Sequence, residues 1–188
     1  MTDNSAIFLD RDGTIIEDRG DLKDPSQVIF FDETISSLQR LSKLFKLFIV
    51  TNQSGVAKGA ISIEEVHRVN SYIENILAGH GIGVVETYFC PHNRSDGCEC
   101  MKPNPYFLKK AAEEHGVDLS RSFVIGDHPH DIEFGETVGA KGIYVLTGHG
   151  LKHLNELQPT TLIASGISEA AKIIIELHQG MRYNTKLS

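Results

Sequence analysis

The sequence predicts an α/β fold in which a mainly parallel sheet is covered by helices on both faces. Short apolar runs alternate along the chain with segments of helical period. The runs are almost continuously apolar, as strands buried on both faces must be. Asp10, Thr51, Cys90 and Asp127 each follow directly on such a run, so parallel strands would bring all four to one sheet edge.

The predicted strands are 6–9, 47–50, 84–89, 123–125, 142–145 and 161–163, and the predicted helices are 33–44, 63–78, 105–115, 131–138 and 167–178. In the second helix Val66, Val69, Ile73, Ile76 and Leu77 share one face. Ser62, with Glu65 three residues on, has the pattern of a capping box. Asp32 and the stretch 166–168 mark starts for the first and last helices. Residues 1–179 read as one domain, and the polar residues 180–188 as a frayed tail.

With 188 residues, 40% apolar and 23% charged, the composition is that of a globular protein with room for a full core. The net charge of −7 disfavours nucleic acid and offers no polybasic membrane patch. No apolar run approaches the roughly 20 residues of a membrane span, and the polar start Met1-Thr2-Asp3-Asn4 does not read as a signal peptide. A cytoplasmic monomer acting on a small molecule is the expectation.

Asp10-Arg11-Asp12-Gly13-Thr14 leaves the first strand and enters a Gly-turned loop. Two carboxylates facing one small site repel unless a cation or a shared proton relieves them; the alternative is an ordinary loop with solvated aspartates. Thr51-Asn52-Gln53-Ser54-Gly55 could cradle phosphate oxygens with a hydroxyl and backbone N–H groups, or be a simple strand-to-helix turn. Lys102, before Pro103, could add a point charge for an anion, or merely solvate a surface. Asp127, ending another strand, could complete a Mg²⁺ site with the first-loop aspartates. Asp131 reads as a supporting residue or a helix N-cap, and His128 and His130 as loop residues or metal ligands.

Cys90, His92, Cys98 and Cys100 form C-x-H, five residues, then C-x-C, and use every cysteine in the chain. Three thiolates and an imidazole make a closed tetrahedral set, the form of a structural Zn²⁺ site; otherwise they are reduced cysteines beside a stray histidine. The loop 90–100 has no apolar residue between Asn93 and Gly97, so a metal would supply order that packing cannot.

In this order, D-x-D-G-T, T-N-Q-S-G, K-P and G-D-x-x-x-D resemble the haloacid dehalogenase (HAD) superfamily of aspartyl phosphotransferases, from Ala6 to about Gly150. The resemblance implies a Rossmann-like three-layer α/β/α phosphatase, with Asp10 as nucleophile and Asp12 as general acid/base. It further implies that Thr51 and Lys102 steady the phosphoryl group. Mg²⁺ would be held by the Asp10 carboxylate, the Asp12 carbonyl and Asp127.

The zinc loop resembles the branch that acts on heptose 1,7-bisphosphate or histidinol phosphate and lacks a large cap domain. There, the stretches matching Asp18-Arg19-Gly20-Asp21 and Thr51–Ser54 contact substrate. One departure is Met101, where the branch commonly has a substrate-binding Arg; Arg19 and Arg94 are candidates to replace that cation. The five residues between His92 and Cys98 look more like the histidinol-phosphate members, while Asp18-Arg19-Gly20 looks like the heptose members. Heptose 1,7-bisphosphate is the first expectation for substrate and histidinol phosphate the second. The remaining alternatives are a zinc-loop binding module without turnover and a phosphotransferase.

Overall fold

The computed structural model describes residues 4–184, with side chains to residue 180. Six parallel strands form one sheet: β1 (Ala6–Leu9), β2 (Lys46–Asn52), β3 (Val84–Cys90), β4 (Phe123–Gly126), β5 (Lys141–Val145) and β6 (Leu162–Ala164). Their spatial order is β3-β2-β1-β4-β5-β6. The chain winds outward from β1 to β3, then returns to lay β4 on the other side of β1. Adjacent connections therefore leave in opposite directions between β1 and β4, opening a crevice at the carboxyl ends of those strands.

Strand pleating divides the core. Ile7, Leu9, Leu47, Ile49 and Ile125 point to one face, packing against α1 (Thr34–Leu41), α2 (Ile63–Gly79) and α5 (Ile167–Asn184). Ala6, Phe8, Phe48, Val50 and Val124 point to the other, toward α3 (Tyr106–His115) and α4 (Pro129–Glu136). The result is the expected three-layer α/β/α arrangement. Among the described residues, no helix is long and apolar enough to cross a membrane.

The element ends differ from expectation in places, for local reasons. The Ser62 hydroxyl accepts from the Glu65 amide and the Glu65 carboxylate from the Ser62 amide, so the capping box of α2 is present. Asp32 does not cap α1: Glu33 occupies the N-cap at φ 61° with no side-chain cap. The fourth helix begins two residues early because Pro129, with its preset φ, takes the first turn and His128 caps it. The last helix runs on to Asn184, through the first residues of the expected frayed tail; residues 185–188 lie outside those described.

Candidate active site

Asp10 follows β1 and Asp127 follows β4, so the crevice between these neighbouring strands receives both carboxylates. The Asp10 amide donates to the Ile125 carbonyl at 2.9 Å, tying the two strand ends together. Asp131 joins them from the first turn of α4, and oxygens of the three carboxylates lie within 4.8 Å of one another. Two glycines make this approach possible. At Gly13, with φ 85°, a Cβ would fall on the Asp127 carboxylate; at Gly126 it would fall on Asp131.

Lys102 is the counter-charge. Its ammonium donates to Asp10 Oδ1 at 2.5 Å, Asp131 Oδ1 at 2.6 Å and the Val50 carbonyl at 2.9 Å, which uses all three of its N–H groups. Burial alone would lower the pKa of Lys102, but the Asp10 and Asp131 charges override it and hold the amine above its ordinary value. Burial pushes Asp10 well above the usual carboxylate range; Lys102 opposes that shift, and Asp131 and Asp127 add to it. Asp127 rises to about 6, chiefly through burial, although the His149 amide donates to its Oδ2 at 2.7 Å. Three buried carboxylates against one ammonium leave an excess of negative charge. This all-oxygen donor set fits a hard divalent cation such as Mg²⁺.

Asp12 is held differently. Arg11 reaches both of its oxygens, at 3.0 and 3.1 Å, and Gln53 Nε2 donates to Oδ2 at 2.9 Å. Thr51 Oγ1 also donates to that oxygen, at 3.3 Å. Arg11 is fully buried, and its remaining arm donates to Asn70 Oδ1 at 2.7 Å on α2. Asn52 grips the Lys102 backbone, accepting from its amide at 3.2 Å and donating to its carbonyl at 3.5 Å. Asp10, Asp12, Thr51, Asn52, Lys102, Asp127 and Asp131 line one cavity of about 230 Å³, with His128 and His130 at its side. Asp131, expected as a supporting residue, thus stands with the other carboxylates; it also accepts from the His128 amide at 3.1 Å, inside the helix rather than as its N-cap.

The four candidate ligands of the loop also converge. Cys90 Sγ lies 3.5 Å from Cys98 Sγ and 3.2 Å from Cys100 Sγ, and Cys98 lies 3.7 Å from Cys100. His92 Nδ1 is 3.6 Å from Cys90 and 3.2 Å from Cys100. These separations are far longer than a disulfide bond. They are somewhat shorter than the edges of a Zn²⁺ tetrahedron, where bonds of about 2.3 Å place sulfurs about 3.8 Å apart, and a small outward shift would fit the ion. Burial pushes the Cys90 thiol up, a cost that coordination as thiolate would offset.

Not every expected residue reaches the cavity. Gln53 orients Asp12 from behind, and Ser54 lies outside the lining. Of the stretch 18–21, Asp18 accepts from the Gly20 amide and lies 3.4 Å from His149, while Arg19 pairs with Glu17. Asp21 packs against Gly55, and none of the four lines the cavity. Met101 lines a neighbouring cavity instead. The Arg11–Asn70 support was missed, although a signal existed: Asn70 is a polar residue beside Val66, Val69 and Ile73 on the buried stripe of α2. Thr14, which donates to Asp10 Oδ2 at 3.3 Å, was also passed over.

The fold and site define a class: a parallel α/β hydrolase with an aspartate-rich centre at the strand switch point. A family model described as HAD-hydrolase-like matches residues 99–170. The D-glycero-β-D-manno-heptose-1,7-bisphosphate 7-phosphatase of Pseudomonas aeruginosa is 33% identical over 175 residues, spanning 92% of this chain and 98% of that protein. The enzyme of the same name from Helicobacter pylori J99 is 36% identical over 154 residues, spanning 81% and 88%. The crystal structure of D,D-heptose 1,7-bisphosphate phosphatase from B. bronchiseptica, complexed with magnesium and phosphate, superposes with a TM-score of 0.85 at 28% identity, covering 92% of this chain and 99% of that one. The chain belongs to the HAD-like phosphatases, in the branch of the heptose-bisphosphate enzymes.

Proposed function

We propose that this chain is a Mg²⁺-dependent phosphatase that removes the 7-phosphate of D-glycero-D-manno-heptose 1,7-bisphosphate, with Zn²⁺ holding the loop 90–100. The observation that carries the reading is the joint one: Asp10, Asp127, Asp131 and Lys102 around one cavity in a chain matching heptose-bisphosphatases over nearly its whole length. A divalent cation between the Asp10, Asp127 and Asp131 carboxylates would offset their repulsion and draw charge from the phosphate oxygens.

In the reaction, an Asp10 carboxylate oxygen attacks phosphorus and the bond from phosphorus to the sugar oxygen breaks. Asp12 gives the leaving alkoxide a proton, and the product is a phosphorylated Asp10. Water then attacks that phosphorus, giving its proton to Asp12, and the carboxylate of Asp10 is released with inorganic phosphate. Arg11 and Gln53 keep Asp12 turned toward the cavity through both steps. Thr51 and Lys102 border the space the phosphoryl oxygens would fill. A reduced, metal-holding thiol loop suits the cytoplasm.

Steady-state kcat/KM with Mg²⁺ on both anomers of the heptose bisphosphate and on histidinol phosphate tests this reading. The expected result is a clear preference for a heptose anomer. A preference for histidinol phosphate, which the five-residue span between His92 and Cys98 would favour, replaces the substrate but keeps the chemistry. Equal, feeble turnover of all three rejects both substrates.

A further inference from the structure

The two oxygens of Asp12 are not treated alike. Oδ2 accepts from Arg11 Nε at 3.0 Å, Gln53 Nε2 at 2.9 Å and Thr51 Oγ1 at 3.3 Å, and Arg11 Nη2 lies 2.9 Å from it. Among the described residues, Oδ1 receives only that same Nη2, at 3.1 Å. A carboxylate oxygen has two lone pairs, so Oδ2 is saturated and Oδ1 keeps one open. The Asp12 side chain is 16% exposed and lines the cavity, whereas Arg11 is closed off from solvent.

That division suits a group that must both give and take a proton. A proton on Oδ1 leaves Oδ2 as a carbonyl-type acceptor, and Nη2 is already within reach of Oδ2, so the donors keep their places in both states. In the first half of the reaction the proton leaves Oδ1 for the sugar oxygen as the bond from that oxygen to phosphorus breaks. In the second half a proton of the attacking water returns to Oδ1 as the water oxygen joins phosphorus and the Asp10 carboxylate is freed.

The Arg11 fork is itself held from α2. Nη1 donates to Asn70 Oδ1 at 2.7 Å. A guanidinium is planar, so a contact at Nη1 and another through Nε and Nη2 fix the whole group. Asn70 cannot follow a moving partner: it is 5% exposed, lies between the core residues Val69 and Ile73, and belongs to a helix whose start is locked by the Ser62–Glu65 capping box. Asparagine is a weak helix former, and an amide is costly to bury without a partner. Neither the helix nor the core gains from it at this position; Arg11 does.

The geometry points to Asn70 as a positioning residue: through Arg11 it holds Asp12 by Oδ2 and leaves Oδ1 aimed at the leaving oxygen. This rests on the proposed reaction, in which Asp12 is the acid and then the base.

The test uses the Mg²⁺- and Zn²⁺-loaded enzyme and two esters: heptose 1,7-bisphosphate, whose alkoxide needs a proton to leave, and p-nitrophenyl phosphate, whose phenolate leaves without one. kcat/KM covers the steps up to release of the alcohol, so it reports the acid step and not the later attack of water. Asn70→Ala should lower kcat/KM roughly tenfold or more on the sugar ester and less than about threefold on the aryl ester, a part of what a general acid contributes. Asn70→Asp, which keeps an oxygen facing Nη1, should recover most of that difference. In the Asp12→Asn background, Asn70→Ala should add no further difference between the esters, because the group it positions is already gone. Equal losses on both esters in Asn70→Ala, or no loss, would overturn the proposal, as would a selective loss that persists undiminished in the Asp12→Asn background. If Asn70→Ala does not fold, the same comparison is made with Asn70→Ser, whose hydroxyl stops short of Arg11, and equal losses or none there overturn it likewise. Asp12→Asn alone tests the underlying reading: the absence of any split between the esters in that variant contradicts Asp12 as the acid and removes this inference with it, whereas a split there without one in Asn70→Ala overturns the role of Asn70 alone. Should the wild type prefer histidinol phosphate, that alkyl ester takes the place of the heptose ester in every comparison.

Discussion

The acidic centre and the zinc-type loop lie side by side, yet opposite means hold them in place. Asp10, Asp127, Asp131 and Lys102 are almost fully buried, and their backbones are continuous with β1, β4, α4 and the segment before α3. Strand pairing sets where those carboxylates stand before any ligand arrives. The loop 90–100 carries only a short 3-10 turn, Arg94–Asp96; His92 and residues 94–97 are exposed, and the segment packs on the core through little besides Cys90, Cys98 and Cys100. Packing supplies little order there, and a metal held by Cys90, His92, Cys98 and Cys100 would supply the rest. A centre that must hold like charges together is built on the stiffest part of the fold, whereas the loop beside it, bordering the neighbouring cavity, has a Cys/His set that could hold a metal in place of packing. Lys102 joins the two: it follows Cys100 by two residues and ends between Asp10 and Asp131.

The largest expected effect falls on the centre alone. Asp10→Asn should lower kcat on the order of 10⁴-fold or more while the protein stays folded, since a removed nucleophile leaves only binding and positioning. Thermal unfolding should stay cooperative, because the amide keeps the shape and removes a charge that Asp127 and Asp131 repel. Substantial turnover by the purified variant would contradict the assignment of Asp10.

Removing zinc strikes the other region. After chelation and return of Mg²⁺ alone, activity should fall roughly 10- to 100-fold, since a displacement of Lys102 by about 1 Å can cost on that order. Far-ultraviolet circular dichroism should barely change, as the sheet and helices do not depend on the loop. Full activity in protein shown to be zinc-free would separate Lys102 from the loop and break the comparison.

Charge strain should be confined to the centre. With its pKa raised to about 6 by burial, Asp127 in the folded, metal-free protein keeps a proton that the unfolded chain has already lost. The folded state then loses stability as pH rises from about 4 through about 6, on the order of 3 kcal/mol from this group. Chemical denaturation of metal-free wild type and Asp127→Asn across that window should show wild type weakening relative to the variant, and saturating Mg²⁺ should remove most of the difference. A constant difference would place no such strain on Asp127. The smallest effect is expected behind Asp12: Asn70→Ala removes an acceptor from buried Arg11, which should cost about 1–3 kcal/mol of stability. A change below a few tenths of that would mean another group takes over the guanidinium.

The central strands announced themselves because burial on both faces requires near-continuous apolar runs, and Ala6–Leu9 begins and ends where the pattern does; the edge strands β3 and β6 are half-exposed instead. Asp10 and Asp127 were legible as site candidates for a related reason, as polar residues placed directly after such runs. Side-chain direction was not. Asp131 could be read as a cap because its place in the chain is the same whether its carboxylate turns to its own helix or to Lys102; it does both. Arg19 and Arg94 were equal candidates in sequence, and only three-dimensional placement sends one to Glu17 and the other to a cavity. The start of α1 was misplaced because Glu33 takes a left-handed backbone, which no cap preference anticipates.

Acid quench of the Mg²⁺-loaded enzyme during steady turnover of its best phosphate ester, followed by peptide mass spectrometry, tests the central claim most directly. The account predicts a phosphate adduct on Asp10, absent from Asp10→Asn. Turnover that proceeds with no adduct on Asp10, or with the adduct on another residue, would contradict it.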